Sequence, residues 1–164
     1  MKDEKLKNII YSGLGIALVF VATIAIKIPY VKGYINFGDI FIFIISSIFG
    51  DKIGFISGGL GSALADISLG YNIYAPATFV IKGLEGFISG VLYNKSRESS
   101  NTFLYYFSYI IAGLWMVLGY FIYETLIYGY LTATAAIFGN LVQGLASALV
   151  AIILIRPIKM LLNR

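Results

Sequence analysis

GGLGSALADISLGYNIYAPATFVIKGLEGF, running from Gly58 to Phe87, decides the fold. Two apolar stretches flank the tetrapeptide YNIY, and Pro76 sits where a first helical turn tolerates it best. The first stretch is rich in Gly, Ser and Ala, residues that let helix backbones approach closely in lipid. Yet each stretch also carries charge: Asp66 in the first, Lys82 and Glu85 in the second. An ionisable group at the centre of a membrane helix costs about 2.5–3.5 kcal/mol, so each needs a partner or a polar cavity. Lys82 and Glu85 are three apart and share a helix face, and Asp66 falls close enough in depth to pair with Lys82.

The rest of the chain agrees with a membrane setting. Of its 164 residues, 59% are hydrophobic and only 12% charged, against about 45–50% and 25% in soluble domains. A soluble enzyme is thereby disfavoured. The chain has no Cys and no His, which removes disulfides, thiolate chemistry, His-based triads, a haem axial His and the usual zinc site. No GxxxxGK[ST], strand-linked GxGxxG or HExxH pattern occurs, so the chain shows no nucleotide or metalloprotease motif of its own.

A membrane span needs about 20 mostly apolar residues. Six segments qualify, at about 9–28, 37–50, 53–70, 75–93, 102–123 and 134–155, the second being short. The expectation is an all-α integral membrane protein, a six-transmembrane-helix bundle forming one membrane domain over 1–164. The first segment is too long for a comfortable signal peptide and has no small-residue cleavage site after it. With the N-terminus inside, Lys2, Lys5, Lys7, Lys52, Lys95, Arg97, Arg156, Lys159 and Arg164 lie inside, and only Lys27 and Lys32 outside. The positive-inside rule then places both termini in the cytoplasm, and the net charge of +4 reads as an orientation signal rather than as nucleic-acid affinity.

In this arrangement Asp39, Asp66, Lys82, Glu124 and Asn140 fall in the outer half of the membrane, with Glu85 and Gln143 about 15 Å deeper than their outer helix ends. Polar groups from five spans converge at one depth, which suggests a cup open to the exterior; a closed ion network that only fixes packing is the other reading. Tyrosines cluster at the outer ends, where an interfacial belt would also place them. Tyr34, Trp115 and Tyr120 are candidate ring-stacking faces. Segment one differs: Gly13, Ala17, Val21 and Ala25 recur every four residues as a slim stripe, with no buried charge on the helix. It reads as a contact surface for another helix, inside or outside the bundle, rather than as part of the cup.

Three stretches, GYINFGD (Gly33 to Asp39), the opening run Gly58 to Phe87 and GNLVQG (Gly139 to Gly144), resemble the substrate-binding S component of energy-coupling factor (ECF) vitamin transporters. They look like the riboflavin-type and pyridoxine or hydroxymethylpyrimidine-type branch. The resemblance implies high-affinity capture of a water-soluble vitamin at the outer face of a bacterial plasma membrane. It also implies association with a transmembrane coupling subunit and two cytoplasmic ATPases. No cofactor and no metal is implied. Carried onto this chain, the family's ligand contacts fall on Asn36, Asp39, Lys82, Glu85, Glu124, Asn140 and Gln143, with Tyr34 and Tyr120 behind them. The family's docking face falls on Gly13 and Ala17, with Gly13 standing where an alanine is usual.

The donors and acceptors of Glu85, Glu124, Asn140 and Gln143 suit a small heterocycle with hydroxymethyl or amino groups, pyridoxine or hydroxymethylpyrimidine. Riboflavin is the alternative cargo. Two other function classes stay open: an intramembrane enzyme using Asp66, Glu85 or Glu124 as acid or base, and a structural membrane subunit with no ligand.

Overall fold

The computed structural model describes residues 2–162, and side chains from residue 3. Arg164, one of the inside charges above, and the Lys2 side chain lie outside the described residues. Among those described, the order is α1 (Lys2–Ala25), β1 (Lys27–Tyr30), β2 (Gly33–Asn36), α2 (Gly38–Phe49), α3 (Asp51–Ser68), α4 (Ala75–Glu98), α5 (Thr102–Tyr128) and α6 (Tyr130–Leu162). Each expected span corresponds to one helix. Helices α1, α4, α5 and α6 are long and apolar enough to cross a membrane. Helix α2 is apolar but has 12 residues, about 18 Å at helical rise, and α3 carries Asp51, Lys52 and Asp66 in 18 residues.

Several boundaries differ from the sequence reading. The fourth segment was expected to end at 93, before the polar run NKSRESSN (94–101), but Lys, Arg and Glu are good helix formers and α4 continues to Glu98. Asn101 then caps α5 by accepting a hydrogen bond from the Leu104 amide at 3.1 Å. Glycines with positive φ make the tight reversals, Gly50 (φ +99°) between α2 and α3 and Gly129 (φ +86°) between α5 and α6.

The largest departure is the hairpin. Segment one was expected to run to Ile28, but α1 ends at Ala25 and Ile28 is the second residue of β1. Strands β1 and β2 pair antiparallel, Lys27 with Asn36 through Tyr30 with Gly33. Ile28, Tyr30, Tyr34 and Ile35 are good strand residues, and Pro29 is acceptable on an edge strand. Val31, in the two-residue turn, takes φ +53°, a conformation that strains a β-branched side chain.

Helix packing follows from the small residues. A Cβ built on Gly58 would lie 2.5 Å from the Lys82 carbonyl oxygen, and one on Gly54 2.8 Å from that of Gly86. Helices α3 and α4 therefore touch backbone to backbone, as the glycines of the opening stretch predict. Helices α5 and α6 meet similarly at Gly113 and Gly144. At the end of the bundle remote from the hairpin, Phe43, Tyr93, Tyr105 and Tyr109 close an aromatic core with Ala112, Ala148, Ala151 and Ile155, and the Tyr109 hydroxyl meets Ser47 Oγ at 2.8 Å. Leu114, Leu118, Leu149 and Ile153 are exposed, an outward apolar surface suited to lipid.

Candidate ligand-binding site

Beneath the hairpin the helices enclose a polar cleft of about 470 Å³, mouth included. Water-sized molecules can centre themselves in only about 40 Å³ of it, room for a few waters. Of the nine residues expected at a ligand site, Tyr34, Asn36, Lys82, Tyr120, Glu124, Asn140 and Gln143 line this cleft. Asp39 and Glu85 do not; both are wholly buried beneath it.

The floor is an ion network. Lys82 Nζ pairs with Asp39 Oδ1 and lies 3.1 Å from Glu85 Oε2. The shared face of Lys82 and Glu85 is as the spacing predicts, but the expected Asp66–Lys82 pair does not form. Asp39, at the start of α2, takes that place because α2 crosses directly against α4. Asp66 instead accepts a 2.5 Å hydrogen bond from the Tyr34 hydroxyl. Trp115 also departs from expectation: its indole Nε1 donates to the Ile81 carbonyl at 3.1 Å, and it does not line the cleft.

Gln143 joins roof to floor. Its Oε1 accepts from the Asn36 amide at 2.8 Å, and its Nε2 donates to Asp39 Oδ2 at 2.8 Å. The Asn36 side chain meanwhile accepts from the Gly38 amide at 2.8 Å, turning the hairpin into α2. Tyr30 pins the other strand, donating to the Ala135 carbonyl at 3.2 Å with its ring against Gly139.

The walls are aromatic and acidic. Tyr74 donates to Glu124 Oε1 at 3.1 Å, and the Tyr120 hydroxyl shares a 3.1 Å bond with Thr78 Oγ1. Lys82 Nζ lies 5.7 Å from the centre of the Tyr120 ring. In the hairpin and in the α3–α4 connection, burial first and the neighbouring carboxylate second push the Tyr34 and Tyr74 hydroxyls far above their ordinary range, so both remain donors. Two buried carboxylate oxygens on the walls, Asp66 Oδ2 and Glu124 Oε2, have no hydrogen-bond partner among the described residues.

Sequence reading takes Asp66 as a buried charge or an acid–base group rather than a ligand contact, leaves Tyr71 and Tyr74 to the interfacial belt, and passes over Thr23, Ser62 and Thr78, all of which line the cleft. Helical spacing carried the signal for most of them. Tyr74 and Thr78 stand two turns and one turn before Lys82, and Ser62 one turn before Asp66. Thr23 corrects the expectation that α1 stays outside the cup, since it faces inward, buried, opposite the small-residue stripe. That stripe is exposed at Gly13, Ala17, Val21 and Ala25, and nothing in the chain lies within 4 Å of a Cβ placed on Gly13. Gly13 and Ala17 border a shallow groove with Ile16, Phe20, Leu64 and Ser68.

Comparison with known proteins agrees with this arrangement. The chain is 38% identical to an uncharacterised protein of Pyrococcus woesei, over 77% of its own length and 83% of that protein's. It is 27% identical to the thiamine precursor transporter HmpT of Lactococcus lactis subsp. cremoris, covering 94% of this chain and 89% of HmpT. A solved S component of a bacterial ECF transporter superposes with a TM-score of 0.77 at 22% identity, over 98% of this chain and 99% of that one, which establishes the shared fold. The family model described as ECF-type riboflavin transporter, S component, matches residues 3–160. With four helices able to cross a membrane, the protein is a multi-pass membrane protein, and a match over nearly its whole length makes the chain a member of the ECF riboflavin transporter S component family.

Proposed function

We propose that the protein captures a small, donor-bearing heterocycle, hydroxymethylpyrimidine or a pyridoxine-like vitamin, and passes it inward without altering it. The observation that carries this reading is the pair of buried, unpartnered carboxylate oxygens on the cleft walls, Asp66 Oδ2 and Glu124 Oε2, beside the Tyr34 and Tyr120 rings. Leaving buried acceptors unpaired is costly, and a ring bearing amino or hydroxymethyl groups supplies the missing donors. The likeness to a thiamine precursor transporter supports the same choice. The family is one of transporter components rather than enzymes.

In this reading the chain crosses the plasma membrane six times with both termini cytoplasmic. The short α2 and the charged α3 are sheltered by their neighbours, and the cleft faces outward. A transmembrane coupling subunit and two cytoplasmic ATPases supply the energy, the coupling subunit docking on the Gly13–Ala17 stripe. Asn36, Asn140, Gln143 and Lys82 contact the ligand with the wall residues, while Asp39 and Glu85 hold Lys82 in place from below.

Riboflavin is the second reading, favoured by the family model's own description. Either cargo requires the cleft to open, because as it stands it has room for only a few waters. Calorimetric titration of purified protein with hydroxymethylpyrimidine, pyridoxine and riboflavin separates the two. Tight, stoichiometric binding of a single-ring compound with weak riboflavin binding is expected. The reverse order would transfer the assignment to riboflavin, and no binding of any of them would overturn the capture reading.

A further inference from the structure

The end of the bundle opposite the cleft carries an arrangement that ligand capture does not use. Arg97 lies one helical turn beyond Tyr93 on α4, and Arg156 and Lys159 share one face of α6. Helix α6 brings its two cations onto one pair of tyrosines, Tyr93 of α4 and Tyr105 of α5. Lys159 Nζ stands 4.5 Å from the Tyr93 ring centre and the Arg156 guanidinium 5.1 Å from that of Tyr105, while the two rings are 5.9 Å apart. Both tyrosines are buried, so the rings are fixed platforms rather than mobile neighbours. Cation–π attraction holds the two α6 charges in place. No carboxylate forms an ion pair with Arg97, Arg156 or Lys159 among the described residues.

Cations at the C-terminal ends of α4 and α6 do complement the helix dipoles. That effect asks for charge near the last turns, and it does not ask for two cations from α6 seated on adjoining rings. Tyr105 belongs to the first turn of α5, whose own terminus is electropositive. Two cations from α6 thus meet the positive end of α5, with Arg97 one turn beyond Tyr93, and none of the three is ion-paired among the described residues.

We propose that this cluster binds the phosphate headgroup of an anionic phospholipid in the leaflet at that end of the bundle. The surface beside it favours a lipid over free phosphate: Ile153 and Met160, three residues before and four after Arg156, are 61% and 65% exposed on the same face of α6. Headgroup charge and acyl chain thereby find cationic and apolar surface in one line along the helix. This site is independent of the cleft and of its ligand.

The test is native mass spectrometry of the full chain released from bilayers containing equal amounts of phosphatidylglycerol and phosphatidylcholine with identical acyl chains. Phosphatidylglycerol should be retained in preference. The Arg156→Gln, Lys159→Gln double variant should lower its affinity for phosphatidylglycerol about thirtyfold, at about 1 kcal/mol for each of the two removed charges. A Lys5→Gln, Lys7→Gln control removes the same charge from the same end of the bundle and should leave retention unchanged. Equal retention of both lipids, or equal loss in the control, would overturn the proposal, as would displacement of the lipid by inorganic phosphate alone. Should the double variant fail to fold, Tyr93→Leu removes the ring under Lys159 while keeping all charges, and undiminished phosphatidylglycerol selectivity there would count against the site.

Discussion

Lys82 is the residue on which the interior turns. It is buried against two carboxylates, and a buried pair broken on one side costs about 3–5 kcal/mol because a charge is left uncompensated. Lys82→Met should therefore lower the melting temperature sharply, and adding Asp39→Asn and Glu85→Gln should restore much of it, measured by thermal unfolding in detergent. A triple variant as unstable as the single one would show that packing rather than charge sets the cost. Tyr34→Phe removes a donor from Asp66, and hydrogen bonds to charged groups contribute about 1.5–3 kcal/mol. The melting temperature should fall because the buried Asp66 loses its donor, and if Tyr34 also orients Asp66 for the ligand, binding should weaken by about tenfold or more in a titration. Part of this residue-level picture was legible in the chain. The Lys82–Glu85 pairing follows from spacing alone, whereas Asp39 as the partner of Lys82 depends on how α2 crosses α4, which no local pattern encodes.

Among the elements, the α3–α4 seam is the one most plainly written in sequence, since its glycines are needed for backbone contact. Gly58→Ala sets a methyl 2.5 Å from a backbone carbonyl that cannot swing aside, and overpacking of this kind costs about 1–3 kcal/mol. Gly13→Ala meets nothing within 4 Å and should leave stability unchanged or slightly raised, since alanine favours helix. Paired thermal melts test the contrast, and equal destabilisation by both would refute the seam. Long apolar helices were visible because composition alone announces them. The hairpin was not, because two four-residue strands next to an apolar span look like its continuation, and their pairing is set by contacts with Asp66, Gln143 and Ala135 far along the chain.

For the molecule taken together, a slim face of α1 has nothing packed on it among the described residues. The Gly13–Ala17 stripe is exposed on α1, away from the cleft. Ala17→Leu should leave vitamin binding intact and block assembly with the coupling subunit, read by co-purification and by uptake in cells. Undiminished assembly would remove this surface from the docking role. The bundle and its polar end were readable from the depth of the charged residues. The way the hairpin is tied down over the cleft was not, because it rests on long-range bonds from Tyr30 to Ala135 and Tyr34 to Asp66 and on the Gln143 amide spanning from Asn36 to Asp39. As a latch, the Gln143 bridge would have to let go before cargo settles, and the observed rate of capture should then climb with vitamin concentration only to a plateau. The plateau would report the unlatching itself, equal for every vitamin that fits, and Gln143→Leu should raise it.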